Sequence, residues 1–287
     1  MKHIVGIAGL GLIGASLAKA IKAKTDCTVL GYDINSAITD QAMGQKAIDD
    51  MLCDANLAEC SIVICALYPE SVIDYCKNIL AKMQKGAILV DCAGVKTSIC
   101  EELSPFAAKH SVCFVGGHPM AGIEASGFSA SFAELFEGAV MILCRDEYTC
   151  KNALETLSGF FLSIGFGSIK ISDAKEHDEI IAYTSQLAHA VSCAFMHNGT
   201  AKRRLGFSAG SFKDLTRVAR LNENLWTGLF FENKENLLME TDAFLEQMHS
   251  FREALASGNR DAIRAMLKNG TALKILDEEE EAQWRIR

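Results

Sequence analysis

A glycine-rich turn near the amino terminus is the feature that most constrains the fold of this chain. Gly9, Gly11 and Gly14 form a G-x-G-x-x-G pattern that follows an apolar segment and opens a helical one. A second apolar segment ends at Asp33, about 20 positions beyond the glycines. This strand, turn and helix with a distant acid is typical of a dinucleotide-binding fold, in which the helix amino terminus faces the phosphates.

The acid at the end of the second segment indicates which dinucleotide binds. Asp33 would accept hydrogen bonds from the adenosine ribose and repel a 2′-phosphate, and the next two residues, Ile34 and Asn35, offer no cation. We therefore predict NAD rather than NADP. The expected cofactor-binding residues lie in the turn and at the neighbouring strand ends: Gly9, Gly11, Leu12, Ile13, Gly14, Asp33 and Leu67.

The first half of the chain alternates short apolar runs with helical patterns. Strands are predicted at residues 2–8, 28–32, 61–67, 87–91, 112–116 and 139–144, and helices include residues 13–23, 69–82 and 96–108. This alternation predicts βαβ units and a mostly parallel sheet that is buried on both faces. Residues 1–168 are thus expected to form a Rossmann-type α/β domain.

The second half shows helical patterns and no convincing strand. A long helix is predicted over residues 176–197, with Asp173 and Glu176 as a possible capping box, and further helices from residue 223 and over 243–256 and 260–268. Residues 169–287 are therefore expected to form an all-α domain.

Composition excludes several functional classes. The formal net charge of −8 argues against nucleic-acid binding, and no apolar run approaches the roughly 18 residues of a membrane helix. The amino terminus lacks the pattern of a signal peptide, so a cytoplasmic location is expected. The 11 cysteines include no C-x-x-C pair, so we expect reduced core thiols and no metal site.

Two segments carry candidate site histidines, of which His118 is the candidate for catalysis. His118 follows a predicted strand within Gly116-Gly117-His118-Pro119-Met120-Ala121-Gly122, where open α/β sheets bind ligands and glycines allow close approach. On the long helix, Ser185, Gln186 and His189 are spaced to share one face. A satisfied core histidine is the alternative interpretation of His189.

A third segment carries two cations at helical spacing. Lys213 and Arg217 stand four positions apart and would present a dicationic face if the segment is helical. In an acidic protein such a face suggests an anion site, with arginine holding a carboxylate through two hydrogen bonds. A solvated charged turn is the alternative.

Taken together, these segments resemble the prephenate/arogenate dehydrogenase family. The resemblance covers nearly the whole chain and rests on the order of its motifs: GLGLIG, GYD, GGHPMAGIEASG, AKEHDEIIAYTSQLAHAV and GSFKDLTRVA followed by NLW and ENKEN. It implies NAD-linked oxidative decarboxylation of a cyclohexadienol, prephenate or arogenate, and a helical domain that forms a homodimer.

The resemblance also implies roles for individual residues. His118 matches the catalytic histidine that takes the ring-hydroxyl proton, and Arg217 matches the arginine that holds the ring carboxylate. Residues matched to substrate binding or to the shape of the pocket are His189, Gln186, Glu124, Lys213, Gly122, Asp178 and Trp226.

Two positions depart from the family pattern. Gly94 stands where D-x-x-S-V-K has a serine that touches both the hydroxyl and the histidine, and Gln186 replaces the first histidine of S-H-L-P-H. Side-chain specificity and feedback inhibition by tyrosine are therefore left open, as is the choice between prephenate and arogenate.

Two other functions compete with this interpretation. A dehydrogenase of the β-hydroxyacid type commonly has a catalytic lysine on the first long helix of its helical domain, where this chain has only Lys175 at the start. An NAD-sensing protein without catalysis would not need a proton acceptor such as His118.

Overall fold

The computed structural model of the protein describes residues 3–286, and it describes the side chains of residues 3–284. Lys2, which was predicted to begin the first strand, lies outside the described residues. Eight strands form one sheet: β1 (Ile4–Ala8), β2 (Thr28–Tyr32), β3 (Asp50–Met51), β4 (Ile62–Cys65), β5 (Ile88–Asp91), β6 (Cys113–Pro119), β7 (Val140–Cys144) and β8 (Ser168–Ser172).

The strands are ordered β3-β2-β1-β4-β5-β6-β7-β8. Every neighbouring pair is parallel except β6 and β7, which run antiparallel with His118 opposite Ile142. The carboxyl ends of β1, β4, β5 and β6 therefore meet at one edge of the sheet, which is where ligands bind in such folds.

Helices follow most of the strands. They are α1 (Leu12–Lys24), α2 (Ser36–Gly44), α3 (Pro69–Leu80), α4 (Thr97–Lys109), α5 (Lys151–Ser163), α6 (Ala174–Ile181), α7 (Ala188–Met196), α8 (Gly210–Thr216), α9 (Glu223–Glu232), α10 (Lys234–Ala256) and α11 (Arg260–Ile286). A π-helical turn, Ala182–Leu187, joins α6 to α7, so the predicted long helix is confirmed with one change of winding. None of the helices in the described range is both long and apolar enough to cross a bilayer.

The sheet is buried on both faces, as the apolar runs predicted. In β4, Ile62 and Ile64 join one hydrophobic cluster with α1 and α5, whereas Val63 and Cys65 join a second cluster with α3 and α4. All eleven cysteines are free, and six of them are buried as small hydrophobic side chains. The Rossmann-type architecture of the first half is therefore confirmed.

Two predictions about the strands are wrong. The expectation of no strand after residue 168 fails, because β8 begins at Ser168 and pairs in parallel with β7. Its sequence, SIKIS, alternates polar and apolar residues, as is usual for a strand at the edge of a sheet. Within the described range β8 pairs with β7 alone, and its Ile171 side chain is exposed. In addition, β6 extends beyond its predicted end at residue 116, so His118 lies inside the strand and not after it.

The chain divides into two compact units, one ending at Asn236 and the other beginning at Leu237. The first contains the sheet and α1 to α9. The second contains most of α10 and all of α11, where Leu245, Leu255 and Leu267 are more than half exposed. The acidic run at residues 277–281 is an exposed part of α11.

Candidate active site

The glycine turn, residues 9–14, has the close-packed geometry that its sequence predicts. Gly9 has a φ of +88°, and a Cβ there would lie 2.4 Å from the Ala66 carbonyl oxygen. A Cβ on Gly14 would lie only 1.8 Å from the Gly9 carbonyl oxygen, whereas one on Gly11 would meet no atom within 4 Å. Only glycine fits the first and third positions, and Gly11 leaves open the side from which a phosphate would approach.

Asp33 ties the end of β2 to this turn. Its Oδ2 accepts a hydrogen bond from the Leu10 N–H at 2.9 Å, and its Oδ1 accepts one from the Asn35 N–H at 2.9 Å. Leu67 packs against the same turn, with its Cδ2 2.9 Å from where a Gly9 Cβ would lie. The structure thus brings the predicted cofactor residues together.

These residues fit an NAD-like dinucleotide. No side chain caps the amino terminus of α1, so the first-turn N–H groups of Leu12 and Ile13 remain free for a pyrophosphate. The Asp33 carboxylate stands where a 2′-phosphate would be repelled.

His118 belongs to a chain of three side chains, His118, His177 and Asp178, that we call the histidine cluster. His118 Nδ1 lies 2.9 Å from His177 Nε2, and His177 Nδ1 lies 2.7 Å from Asp178 Oδ1. His177 and Asp178 are buried in α6, whereas His118 is partly buried in β6. The cluster therefore links the sheet to the first helix after it.

Asp178 is fixed by backbone donors from the start of α4. Its Oδ1 accepts from the Lys96 N–H at 2.8 Å, and its Oδ2 accepts from the Thr97 N–H at 2.7 Å. Although burial raises the pKa of Asp178, hydrogen bonds from His177 and Thr97 outweigh it and hold the pKa below its usual value. Asp178 is therefore ionised at neutral pH.

Both histidines of the cluster are held neutral. Burial, together with the proximity of His177 and Lys96, lowers the pKa of His118 well below its usual value. Burial is also the largest effect on His177 and lowers its pKa. The hydrogen bond to Asp178 acts in the opposite direction and does not outweigh burial. A neutral imidazole can act as a proton acceptor near pH 7.

A buried ion pair lies behind the cluster. The fully buried Lys96 ammonium binds the Asp91 carboxylate at the end of β5. Asp91 also accepts hydrogen bonds from the Ala93 N–H at 2.9 Å and the Gly117 N–H at 3.2 Å. The pair therefore fixes the loop after β5 against the strand that carries His118.

Gly94, the first departure from the family pattern, lies beside His118. A Cβ on Gly94 would be 3.9 Å from His118 Nε2 and 3.0 Å from Leu229 Cδ2. A side chain at position 94 would thus reach His118, as the family serine is expected to do, but Leu229 of α9 fills that space here.

Arg217 and Glu124 form an ion pair near the surface. Arg217 directly follows α8, and its Nη1 donates to Glu124 Oε1 at 2.9 Å. Glu124 lies in the loop after β6, and its own backbone N–H and Arg217 both lower the pKa of its carboxyl. This contact brings the predicted carboxylate-binding arginine to the loop that follows His118.

His189 stacks on Trp226 of α9, with ring centroids 3.9 Å apart. Its Nδ1 donates to the Ser185 carbonyl oxygen at 2.7 Å, which leaves Nε2 as an acceptor. Burial lowers the pKa of His189, and Arg217 lowers it further.

The other predicted substrate residues are placed less directly. Lys213 is exposed on α8, and a Cβ on Gly122 would meet no atom within 4 Å. Gln186 is buried, where its Nε2 donates to the Leu229 carbonyl oxygen at 3.0 Å and its Oε1 accepts from Asn233 Nδ2 at 2.9 Å. Its amide therefore connects the π-helical turn to α9.

His177 is a site residue that was not predicted from the sequence. Its signal was the adjacent histidine and aspartate of AKEHDE, one turn into a helix that Asp173 caps through the Lys175 and Glu176 N–H groups. The Asp173 part of the predicted capping box is thus confirmed. The Glu176 carboxylate accepts a hydrogen bond from the Ser172 hydroxyl and not from the Asp173 N–H.

Known proteins share both halves of this arrangement. The nucleotide-binding domain of prephenate dehydrogenase matches residues 17–170, and the prephenate dehydrogenase dimerization domain matches residues 173–269. A cyclohexadienyl dehydrogenase from Zymomonas mobilis is 33% identical over 96% of this chain and 95% of that protein.

Solved structures agree. Prephenate dehydrogenase from A. aeolicus, in complex with hydroxyphenyl propionate and NAD+, has a TM-score of 0.83 at 26% identity, over 96% of this chain and 98% of that one. Synechocystis arogenate dehydrogenase has a TM-score of 0.80 at 25% identity, over 95% of this chain and 99% of that one. The chain belongs to the prephenate dehydrogenase family.

Proposed function

We propose that this protein catalyses the NAD-linked oxidative decarboxylation of prephenate or arogenate. The observation that carries the proposal is His118, an imidazole held neutral at the edge of the sheet where the glycine turn also lies. Relatives named as prephenate, cyclohexadienyl and arogenate dehydrogenases support the substrate class. The A. aeolicus relative, solved with NAD+, supports the cofactor.

His118 acts as the general base. Bound NAD would supply the acceptor for the hydride that leaves the hydroxyl-bearing ring carbon. As that hydride leaves, His118 accepts the hydroxyl proton, and a positioned base of this kind contributes about 10²–10⁴-fold to the rate. When the ring carboxylate departs as carbon dioxide, its bonding electrons make the ring aromatic, and the proton returns to the oxygen.

Arg217 supplies orientation. Its guanidinium is paired with the Glu124 carboxylate, and we propose that a substrate carboxylate replaces this partner. Exchange of Glu124 for the substrate lets Arg217 anchor the ring in register with the reacting carbon. His189, Gln186, Lys213 and Gly122 complete the proposed substrate contacts.

The helical half has a second proposed role as a dimer contact. The family domain matched by residues 173–269 is described as a dimerization domain, and the exposed leucines of α10 and α11 suit an apolar interface. We assign nucleotide binding to residues 1–168 and substrate and dimer contacts to residues 169–287, in a cytoplasmic homodimer. The hydroxyacid alternative is disfavoured because Lys175 is exposed in the first turn of α6.

The test is NADH formation measured with prephenate and arogenate, each with NAD and NADP. We expect turnover with NAD and at least one of the substrates. His118→Asn keeps an amide donor for His177 but has no base at the position of Nε2, so kcat should fall about 10²–10⁴-fold with NAD affinity unchanged. His110→Asn, at a histidine whose ring packs at a tilt against Phe106, is the matched control. Near-normal kcat in His118→Asn would remove the proposed role.

A further inference from the structure

We propose that His177 is a positioning residue that, with Asp178, fixes His118 as the Nδ1–H tautomer and leaves its Nε2 bare for the substrate hydroxyl. The inference deepens the proposed function and rests on it. His177 contacts His118 at Nδ1, whereas a side chain at position 94 would approach Nε2.

The proton positions follow from Asp178. Both of its oxygens accept backbone N–H groups, from Lys96 and Thr97, so the carboxylate is an acceptor only. The nitrogen that faces it, His177 Nδ1 at 2.7 Å, must therefore carry the proton and donate.

A neutral imidazole carries one ring proton, so the protonated nitrogen of His177 also determines the tautomer of His118. With Nδ1 protonated, His177 Nε2 has only a lone pair. His118 Nδ1, 2.9 Å away, must then donate to it. His118 Nε2 is left unprotonated, which is the state that a general base needs.

The surroundings of Nε2 keep it available. Among residues 3–284 no side chain or backbone group forms a hydrogen bond to His118 Nε2, and Gly94 contributes no hydroxyl beside it. The wall beside Gly94 includes the Leu229 side chain, which lies 3.0 Å from where a Gly94 Cβ would be, a point that is 3.9 Å from His118 Nε2. An apolar neighbour neither donates to Nε2 nor competes for its proton.

The second departure from the family pattern holds this wall in place. Gln186 Nε2 donates to the Leu229 carbonyl oxygen at 3.0 Å, and Asn233 Nδ2 donates both to Gln186 Oε1 at 2.9 Å and to the Asp178 carbonyl oxygen at 2.7 Å. Gln186 and Gly94 thus meet at Leu229, and the Asn233 amide joins that contact to α6, which carries His177 and Asp178.

His177 offers a sharper test than Asp178, because Asp178 also binds the start of α4. In His177→Gln, the amide oxygen can take the place of Nε2 and still accept from His118. His177→Met has similar length and no such acceptor. We expect kcat to fall about 10- to 100-fold in His177→Met, which is less than the roughly 10²–10⁴-fold contribution of a general base because His118 itself remains. In His177→Gln it should fall less than about threefold. Substrate KM and the NAD dissociation constant should stay within about twofold in both variants.

A second readout does not depend on turnover. In ¹⁵N NMR spectra of histidine-labelled protein, the His118 signals, assigned by their loss in His118→Asn, should show a protonated Nδ1 and an unprotonated Nε2. His177→Met should give a mixture of tautomers. His110→Gln is the matched control and should change neither kinetics nor the His118 signals.

Three outcomes would overturn the inference: wild-type kcat in His177→Met, equal losses in the Met and Gln variants with equal losses of thermal stability, or an Nε2–H tautomer in the wild type. If the wild-type protein oxidises neither prephenate nor arogenate, the proposed function fails. The NMR spectra then still decide the tautomer.

Discussion

The glycine turn and the histidine cluster lie at the same edge of the sheet, yet the chain builds them differently. The turn is made mainly of backbone: Gly9 packs against Gly14 and against the Ala66 carbonyl, and the Leu10 N–H binds Asp33. The cluster is made of side chains, and its central hydrogen bond joins residues 59 positions apart. The cofactor region therefore depends on backbone shape that a glycine pattern encodes, whereas the proton-accepting region depends on side chains brought together by the packing of β6, α4 and α6.

The largest expected effect tests the packing behind the cluster. Lys96→Met leaves the buried Asp91 carboxylate without its partner, so the free energy of unfolding should fall by about 3–5 kcal/mol. Lys24→Met breaks a partly exposed pair with Glu137 and should cost at most about 1 kcal/mol. Urea denaturation measures both. Asp91→Asn combined with Lys96→Met should recover part of the loss, and equal losses in the two lysine variants would contradict the buried pair's role.

Arg217 separates substrate binding from proton transfer. Arg217→Gln removes a charged donor, and charged hydrogen bonds contribute about 1.5–3 kcal/mol, so KM should rise about 10- to 100-fold while kcat changes little. Steady-state kinetics with saturating NAD gives both constants. Lys213→Gln, one turn away and exposed, should raise KM less. A loss in kcat with constant KM would place Arg217 in the chemical step instead.

Two substitutions in the glycine turn separate protein stability from NAD binding. Gly14→Ala forces a Cβ against the Gly9 carbonyl, so stability should fall by about 1–3 kcal/mol together with NAD affinity. Gly11→Ala meets no atom within 4 Å, so thermal stability should hold while NAD binding weakens about 10-fold. Thermal unfolding and NAD titration by calorimetry distinguish the two. Undiminished NAD binding in Gly11→Ala would show that the pyrophosphate does not approach at this point.

The smallest expected effect concerns the space beside His118. Gly94→Ser places a Cβ 3.0 Å from Leu229, so that side chain must shift and kcat should fall a few-fold, about 2- to 5-fold. Adding Leu229→Ala should restore activity, because the serine then has room. Kinetics of the single and double variants form a cycle that measures this coupling. Independent effects of the two substitutions would contradict it.

The difference between the glycine turn and the histidine cluster also determines which parts of the site the sequence could predict. The glycine turn, Asp33 and the strands buried on both faces follow from local patterns. His177 does not, because its partner in β6 is brought near only by the packing of α6 on the sheet. The edge strand β8 lacks the apolar run that marks its neighbours, and the link between Gly94 and Gln186 passes through Leu229, which no spacing reveals.

The π-helical turn sets the rotational phase of the helical segment that carries both His177 and His189. The two residues are 12 positions apart (189 − 177). An unbroken α-helix would rotate about 1,200° over that length and separate their directions by about 120°. One extra residue accommodated in a π-bulge reduces the rotation to about 1,100°, which leaves only about 20° between them. A regular α-helical turn with the same number of residues would therefore swing one histidine about 120° off the shared side, whereas deletion of the one extra residue would leave both histidines on it.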